Sequence, residues 1–138
     1  MNASQLFSRD GVKSLLETPD WAILSAENPG AVRATAEFNR RATDGLRGCL
    51  EIAGYDFVEL SGRYAGIDEV SFGITGIDRP VALAYAKYFG QESVTTFYGL
   101  LFPKTVVRFR WLGVSQVSPG SESSTTCPDG SAFSLEII

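Results

Sequence analysis

Across residues 31–53, Phe38, Ala42, Leu46, Cys49, Leu50 and Ala53 recur at three- and four-residue steps. This spacing predicts one long helix with a single apolar face, closed by Gly54 as a C-cap. Arg33, Glu37, Arg40, Arg41 and Arg47 lie mostly off that face. A one-faced helix needs a layer to cover, and the flanking runs supply it. "WAILSA" at 21–26 is an apolar run of strand length, turned by "ENPG". "FVELSGRY" at 57–64 and "EVSFGIT" at 69–75 are β-prone, with "AGID" between them as a hairpin turn. Asp78 and Pro80 open a second helix that runs through Val81, Leu83, Ala84, Tyr85 and Tyr88 and closes at Gly90. "SVTTFYGLL" at 93–101 is the next strand.

The succession strand, helix, strand, strand, helix, strand predicts an α/β (α+β) two-layer sandwich. Its order is the split βαβ, ferredoxin-like one, with both helices on one face of the sheet. The chain of 138 residues is expected to form a single domain. Residues 1–20 make an N-terminal helical segment carrying Leu6, Phe7, Val12, Leu15 and Leu16, interrupted by Gly11. Residues 21–101 form the α/β core. Residues 102–138 add the strands "TVVRFRWLGV" and "AFSLEII", separated by a flexible Ser-rich loop at about 115–131. The last strand is expected to return and cap a sheet edge.

Composition narrows the chemistry. The sequence contains no histidine, which removes Ser-His-Asp and Cys-His catalysis and the commonest zinc and non-haem iron sites. Carboxylates, amides, Arg, Lys, Tyr and Ser remain. Cys49 and Cys127 fit neither a zinc spacing nor a redox pair. Cys49 reads as a small core residue and Cys127 as part of a polar tail, and a disulfide between them stays open. A net charge of −4 argues against a surface that tracks phosphates, so nucleic acid is not an expected partner. No stretch has the length and apolarity of a membrane span, and the N-terminus lacks the basic start and apolar core of a secretory signal. The expected compartment is the cytoplasm.

Polar residues gather where elements meet. Asn28 ends the first strand beside the expected helix start, where backbone N–H groups attract anions. Asn39 and Arg40 lie about two turns into that helix and could act as an amide and guanidinium pair for a carboxylate, phosphate or amide group. Arg63 and Glu69 flank the hairpin, where the plain reading is a cross-strand ion pair. Glu69 and Ser71 share one strand face. If that face packs under the helices, Glu69 needs a partner such as Arg40, Arg41 or Arg63. Gln91 and Glu92 sit at the exit of the second helix.

"ILSAENPG", "FNRRATDGLRGCLEIAGY", "GRYAGIDEVSFGI" and "AKYFGQESV", in this order, resemble domain-of-unknown-function family 3293, small proteins of bacteria and phages. The resemblance covers about residues 21–98. It carries over Ser25, Asn28, Pro29, Asn39, Arg40, Glu69, Ser71, Gln91, Glu92 and Ser93, and it implies a site without an activity. Gly73 stands where a bulkier apolar residue is expected, and the tail after residue 103 has no counterpart.

Two function classes follow. In the first, the chain is a small non-catalytic binding or regulatory protein, an accessory or anti-defence factor by analogy with phage-borne relatives, acting in the host cytoplasm if phage-encoded. Asn28, Asn39, Arg40, Arg63, Glu69, Ser71, Gln91 and Glu92 would hold a small polar ligand or a protein partner. Exposed Tyr55, Tyr64, Tyr98 and Trp111 would add contact area. No cofactor and no resident metal are called for, and a homodimer is left open. In the second, the chain is an enzyme on nucleotides or nucleic acid, with Glu69 and Glu92, joined by Asp68, holding Mg²⁺ and Arg40 or Arg63 stabilising phosphate. A purely structural polar network is the third alternative.

Overall fold

Alternation along "WAIL" decides the architecture. In the computed structural model, which describes residues 1–64, 66–101, 106–107, 109–114 and 124–137, strand β1 (Trp21–Leu24) is apolar on both sides. Ala22 and Leu24 enter one core cluster, while Trp21 and Ile23 belong to another. Successive side chains of a strand point to opposite faces, so β1 lies in a sheet covered on both faces.

The chain begins with helix α1 (Ala3–Leu6) and a 3₁₀ turn (Val12–Leu16), then β1 and a second 3₁₀ turn (Pro29–Ala31). Helix α2 (Ala36–Ala53), strands β2 (Asp56–Tyr64) and β3 (Ile67–Thr75), helix α3 (Arg79–Tyr88) and strand β4 (Val94–Thr96) follow. Five short strands complete it: β5 (Gly99–Leu101), β6 (Val106–Val107), β7 (Phe109–Val114), β8 (Ser124–Thr126) and β9 (Ala132–Ile137). The result is a mixed α/β protein with an antiparallel sheet in the order β6-β5-β4-β1-β3-β2-β8-β9-β7. Among the described residues, no helix is long and apolar enough to cross a membrane.

One face carries the helices. Leu46 and Leu50 of α2 and Ala82 and Ala86 of α3 share a cluster with Ala22, Leu24, Phe72 and Ile74. The other face carries the N-terminal segment, whose Leu6, Phe7, Val12 and Leu15 pack with Trp21, Leu60 and Phe133. Trp21 Nε1 donates to the Leu15 carbonyl at 2.9 Å. Gly73 belongs to this arrangement. A Cβ there would lie 2.5 Å from the Phe7 ring, so the apolar bulk expected on β3 is supplied by Phe7 instead.

Several boundaries differ from expectation. Helix α2 starts at Ala36 rather than near residue 31, because Thr35 caps it by accepting from the Phe38 N–H. Phe38 consequently sits in the first turn, half-exposed, instead of on the buried stripe. The single strand expected at 93–101 is split into β4 and β5, with Thr96 paired to Gly99 across a tight turn. Tyr64 pairs with Ile67, so the β2–β3 turn is shorter than "AGID". Of the stretch expected as a loop, residues 115–123 lie outside the described residues, and β8 inside it pairs with both β2 and β9. Strand β9 lies between β8 and β7 rather than capping an edge. Cys127 is buried in the second core, and both cysteines are free thiols. Tyr55 packs against the helical core rather than standing exposed. Tyr98 is half-exposed beneath the Arg79 guanidinium, and the side chains of Tyr64 and Trp111 lie outside the described residues.

Candidate functional site

The polar end of β1 is buried throughout: Ser25, Ala26, Glu27 and Asn28 are each less than a tenth exposed. Buried polar groups need partners, and here they come from three other elements. Ser25 Oγ donates to the Val70 carbonyl and accepts from the Glu27 N–H. The Glu27 carboxyl accepts from Thr43 Oγ1 of α2 at 2.6 Å and from the Val70 N–H of β3 at 3.0 Å. Its carbonyl accepts from Gln91 Nε2 beyond α3. The Gly30 N–H donates to the Gly90 carbonyl, which draws the exit of α3 against the turn.

Asn28 is the joint of this network. Its backbone is left-handed (φ 48°), a conformation that Asn tolerates better than most residues. Its side-chain oxygen accepts from the Ala34 N–H and from Asn39 Nδ2, and its own N–H donates to Asn39 Oδ1. Its Nδ2 donates to Glu69 Oε2 at 3.2 Å. The α2 N-terminus is thus not an anion site at Asn28: a 3₁₀ turn intervenes and Thr35 caps the helix. Asn39 faces Asn28 at the edge of the buried stripe. Arg40, one residue on, turns to solvent and is exposed outside the site.

A cavity of about 130 Å³ opens between the β1 end, the β2–β3 hairpin, the α3–β4 connection and strands β8 and β9. Asn28, Arg63, Glu69, Ser71, Gln91 and Glu92 all line it. It lies on the face away from α2 and α3, as its apolar walls Ile23 and Phe133 belong to the second core. Glu69 and Ser71 therefore do not pack under the helices, and Glu69 finds Asn28 rather than an arginine. The strand register gives the reason. Glu69 stands opposite Gly62, whereas Arg63 stands opposite Asp68, so the cross-strand ion pair is Arg63 with Asp68 at 3.0 Å. The Arg63 Nε is buried and its N–H is out of line with Asp68, leaving a charge contact without a hydrogen bond. Gly62 leaves the cavity floor open, since a Cβ there would sit 2.9 Å from Ser71 Oγ.

Three groups in the cavity wall keep bonding capacity that the described residues do not use. Ser71 is 5% exposed, and its hydroxyl has no hydrogen-bond partner among the described residues. Glu69 engages one carboxyl oxygen only. The Gln91 amide is held through its nitrogen by the carbonyls of Glu27 and Phe89, leaving its oxygen open. Burial pushes the Glu69 carboxyl from the usual 4.5 up to about 7, with the Glu27 charge adding to the rise and the Asn28 bond opposing it.

Among the described residues, no group of three or more His, Cys, Asp or Glu is placed to hold a metal ion. Asp68 points to solvent beside Arg63 and does not join Glu69 and Glu92. Sequence reasoning passed over Glu27. The signal was Thr43, a hydroxyl one turn ahead of Leu46 and Leu50 on the buried stripe of α2, which requires a polar partner beneath the helix.

The family model described as protein of unknown function (DUF3293) matches residues 24–94, and the chain belongs to that family. The matched span runs from the last residue of β1 to the first of β4 and includes Asn28, Asn39, Arg63, Glu69, Ser71, Gln91 and Glu92. Among curated proteins, none matches the chain.

Proposed function

We propose that this chain is a non-catalytic binding protein that takes a small polar ligand in the cavity bounded by Asn28, Glu69, Ser71 and Gln91. The observation that carries this reading is the Ser71 hydroxyl, which lines the cavity and takes no hydrogen bond from the described residues. A cavity wall with polar groups whose bonding capacity is left over suits a ligand that fills it. The scaffold is read as a split βαβ unit of ferredoxin-like type, extended by C-terminal strands. The succession β4-β1-β3-β2 with α2 and α3 in the connections supports that reading. The proposal extends, by analogy with the phage-borne relatives that the resemblance implies, to an accessory role in the cytoplasm.

The test is a thermal-shift screen of the purified chain against nucleotides, cyclic dinucleotides, NAD, small amines and divalent metals, with Ser71→Ala and Glu69→Gln alongside. A ligand at one hundred times its dissociation constant adds about 2.7 kcal/mol, a readily visible melting shift. A shift in the wild type that both variants weaken supports the reading. No shift with any class refutes it. The enzymatic alternative, with Mg²⁺ on Glu69 and Glu92, is supported by both carboxylates lining one cavity, and the divalent-metal arm tests it. Arg40, exposed on α2, does not contribute to it.

A further inference from the structure

Three groups of the cavity wall with bonding capacity to spare are of one kind. Glu69 presents a carboxyl oxygen, Gln91 an amide oxygen whose nitrogen is tied to two carbonyls, and Ser71 a hydroxyl. Two of the three only accept when Glu69 is ionised, and the third does either. The acidic side chains on the wall have the same sense. Glu69 and Glu92 line the cavity and Glu27 lies behind it, while Arg63 already pairs with Asp68 across the hairpin. The register also sets Arg63 on the strand face opposite to that of Glu69. An anionic ligand would have to compete with Asp68, and it would approach two glutamates.

Resting on the binding reading above, we infer that the ligand carries a protonated nitrogen group, an ammonium, amidinium or guanidinium, whose N–H donors bond to Glu69, Ser71 and Gln91. Such a group offers several donors and no acceptor, the complement of the wall it meets. The apolar walls Ile23, Leu100 and Phe133 then receive the carbon portion of the ligand. A cavity of about 150 Å³ holds a benzene-sized molecule, so a cation with a short alkyl chain fits.

Binding of a cation is coupled to the ionisation of Glu69. Among the described residues, the charged groups around this carboxyl are Glu27 at the end of β1, Arg63 and Asp68 on the hairpin and Glu92 ahead of β4. From α2 come the uncharged Asn39 and Thr43, and from β8 and β9 Ser124, Thr125, Phe133 and Ser134. With the Glu69 pKa near 7, cation affinity rises about tenfold between pH 6 and pH 8.

The experiment is an NMR titration of the full chain with n-butylguanidinium and n-butylammonium, against n-butanol and butyrate as controls of similar size, at pH 6 and pH 8. The expected result is saturable shifts of the Gln91 side-chain amide and the residue 69–71 amides with the cations, about tenfold tighter at pH 8. Glu69→Gln is expected to abolish the pH dependence and to weaken binding at least tenfold. Ser71→Ala, which removes no bond among the described residues, weakens it severalfold and serves if the first variant folds poorly. Binding of butanol or butyrate at these amides without the cations overturns the ligand class and leaves the cavity as a binding site. Failure of all four probes to shift these resonances overturns both. Cation binding unchanged in Glu69→Gln and Ser71→Ala places the cation elsewhere and overturns the inference.

Discussion

Replacing Glu69 by glutamine is expected to stabilise the protein above pH 7 and to have little effect at pH 5 and below. The glutamine keeps the size of the side chain and an oxygen for the Asn28 amide, and it removes the ionisation. In the folded chain the Glu69 pKa stands at about 7, above its usual 4.5. Between these values the folded state binds more protons than the unfolded one, so stability from this group falls as pH rises. It is fully present below about pH 4.5 and lost once pH has passed 7. The full shift corresponds to roughly 3 kcal/mol on the ionised form. The side chain is partly exposed, and solvent screening reduces this to about 1–2 kcal/mol. In a chain of this length that is a melting shift of about 3–8 °C. The assay is thermal unfolding of wild type and Glu69→Gln in parallel from pH 5 to pH 8.5. The expected curves coincide at the acid end and separate with rising pH, the variant above. A variant less stable than wild type at every pH would refute the reasoning, because it would make the ionised carboxylate a structural partner of Asn28.

Thr43→Val removes the 2.6 Å bond to Glu27 with little change in shape and leaves that buried carboxyl one donor short, so a loss of about 1–3 kcal/mol is expected in urea unfolding. Gly73→Ala forces a methyl group against the Phe7 ring and is expected to cost about 1–3 kcal/mol. In a Phe7→Leu background the same change costs less, and a double-mutant cycle measures the difference. Asn28→Gly retains the left-handed backbone and loses the side-chain bonds, whereas Asn28→Ala loses both, so the alanine variant is expected to be less stable by about 1 kcal/mol in chemical denaturation.

What the sequence made legible was local in origin. The apolar steps of α2, its closure at Gly54, the Asp78 cap of α3 and the apolar run of β1 each depend on neighbours within a few positions. The late start of α2 was hidden because it depends on Asn28, whose side chain captures the Ala34 N–H and holds the chain out of the helix. Period two placed Glu69 and Ser71 on one face of β3, but it could not say which face the helices cover. That choice follows from which β1 side chains meet α2 and from Phe7 filling the space over Gly73. The partner of Arg63 turned on a shorter hairpin, since the register pairs it with Asp68.

The polar constellation divides into a frame and a face, and this division separates structural from binding roles. Glu27, Asn28, Asn39 and Thr43 spend their bonding capacity on one another and on the backbone of residues 34 and 70. They fix where β1, α2 and β3 meet, which is the work of a buried network that specifies one packing. Ser71, the second Glu69 oxygen and the Gln91 oxygen take no part in that frame and open toward the cavity. Two of the three are nevertheless held by the frame: Glu69 through Asn28, and Gln91 through the Glu27 carbonyl. A site whose binding groups are oriented by neighbours already fully bonded loses little conformational freedom when it is occupied. Variants of the frame should therefore lower stability and affinity together, whereas variants of the face should lower affinity without lowering stability.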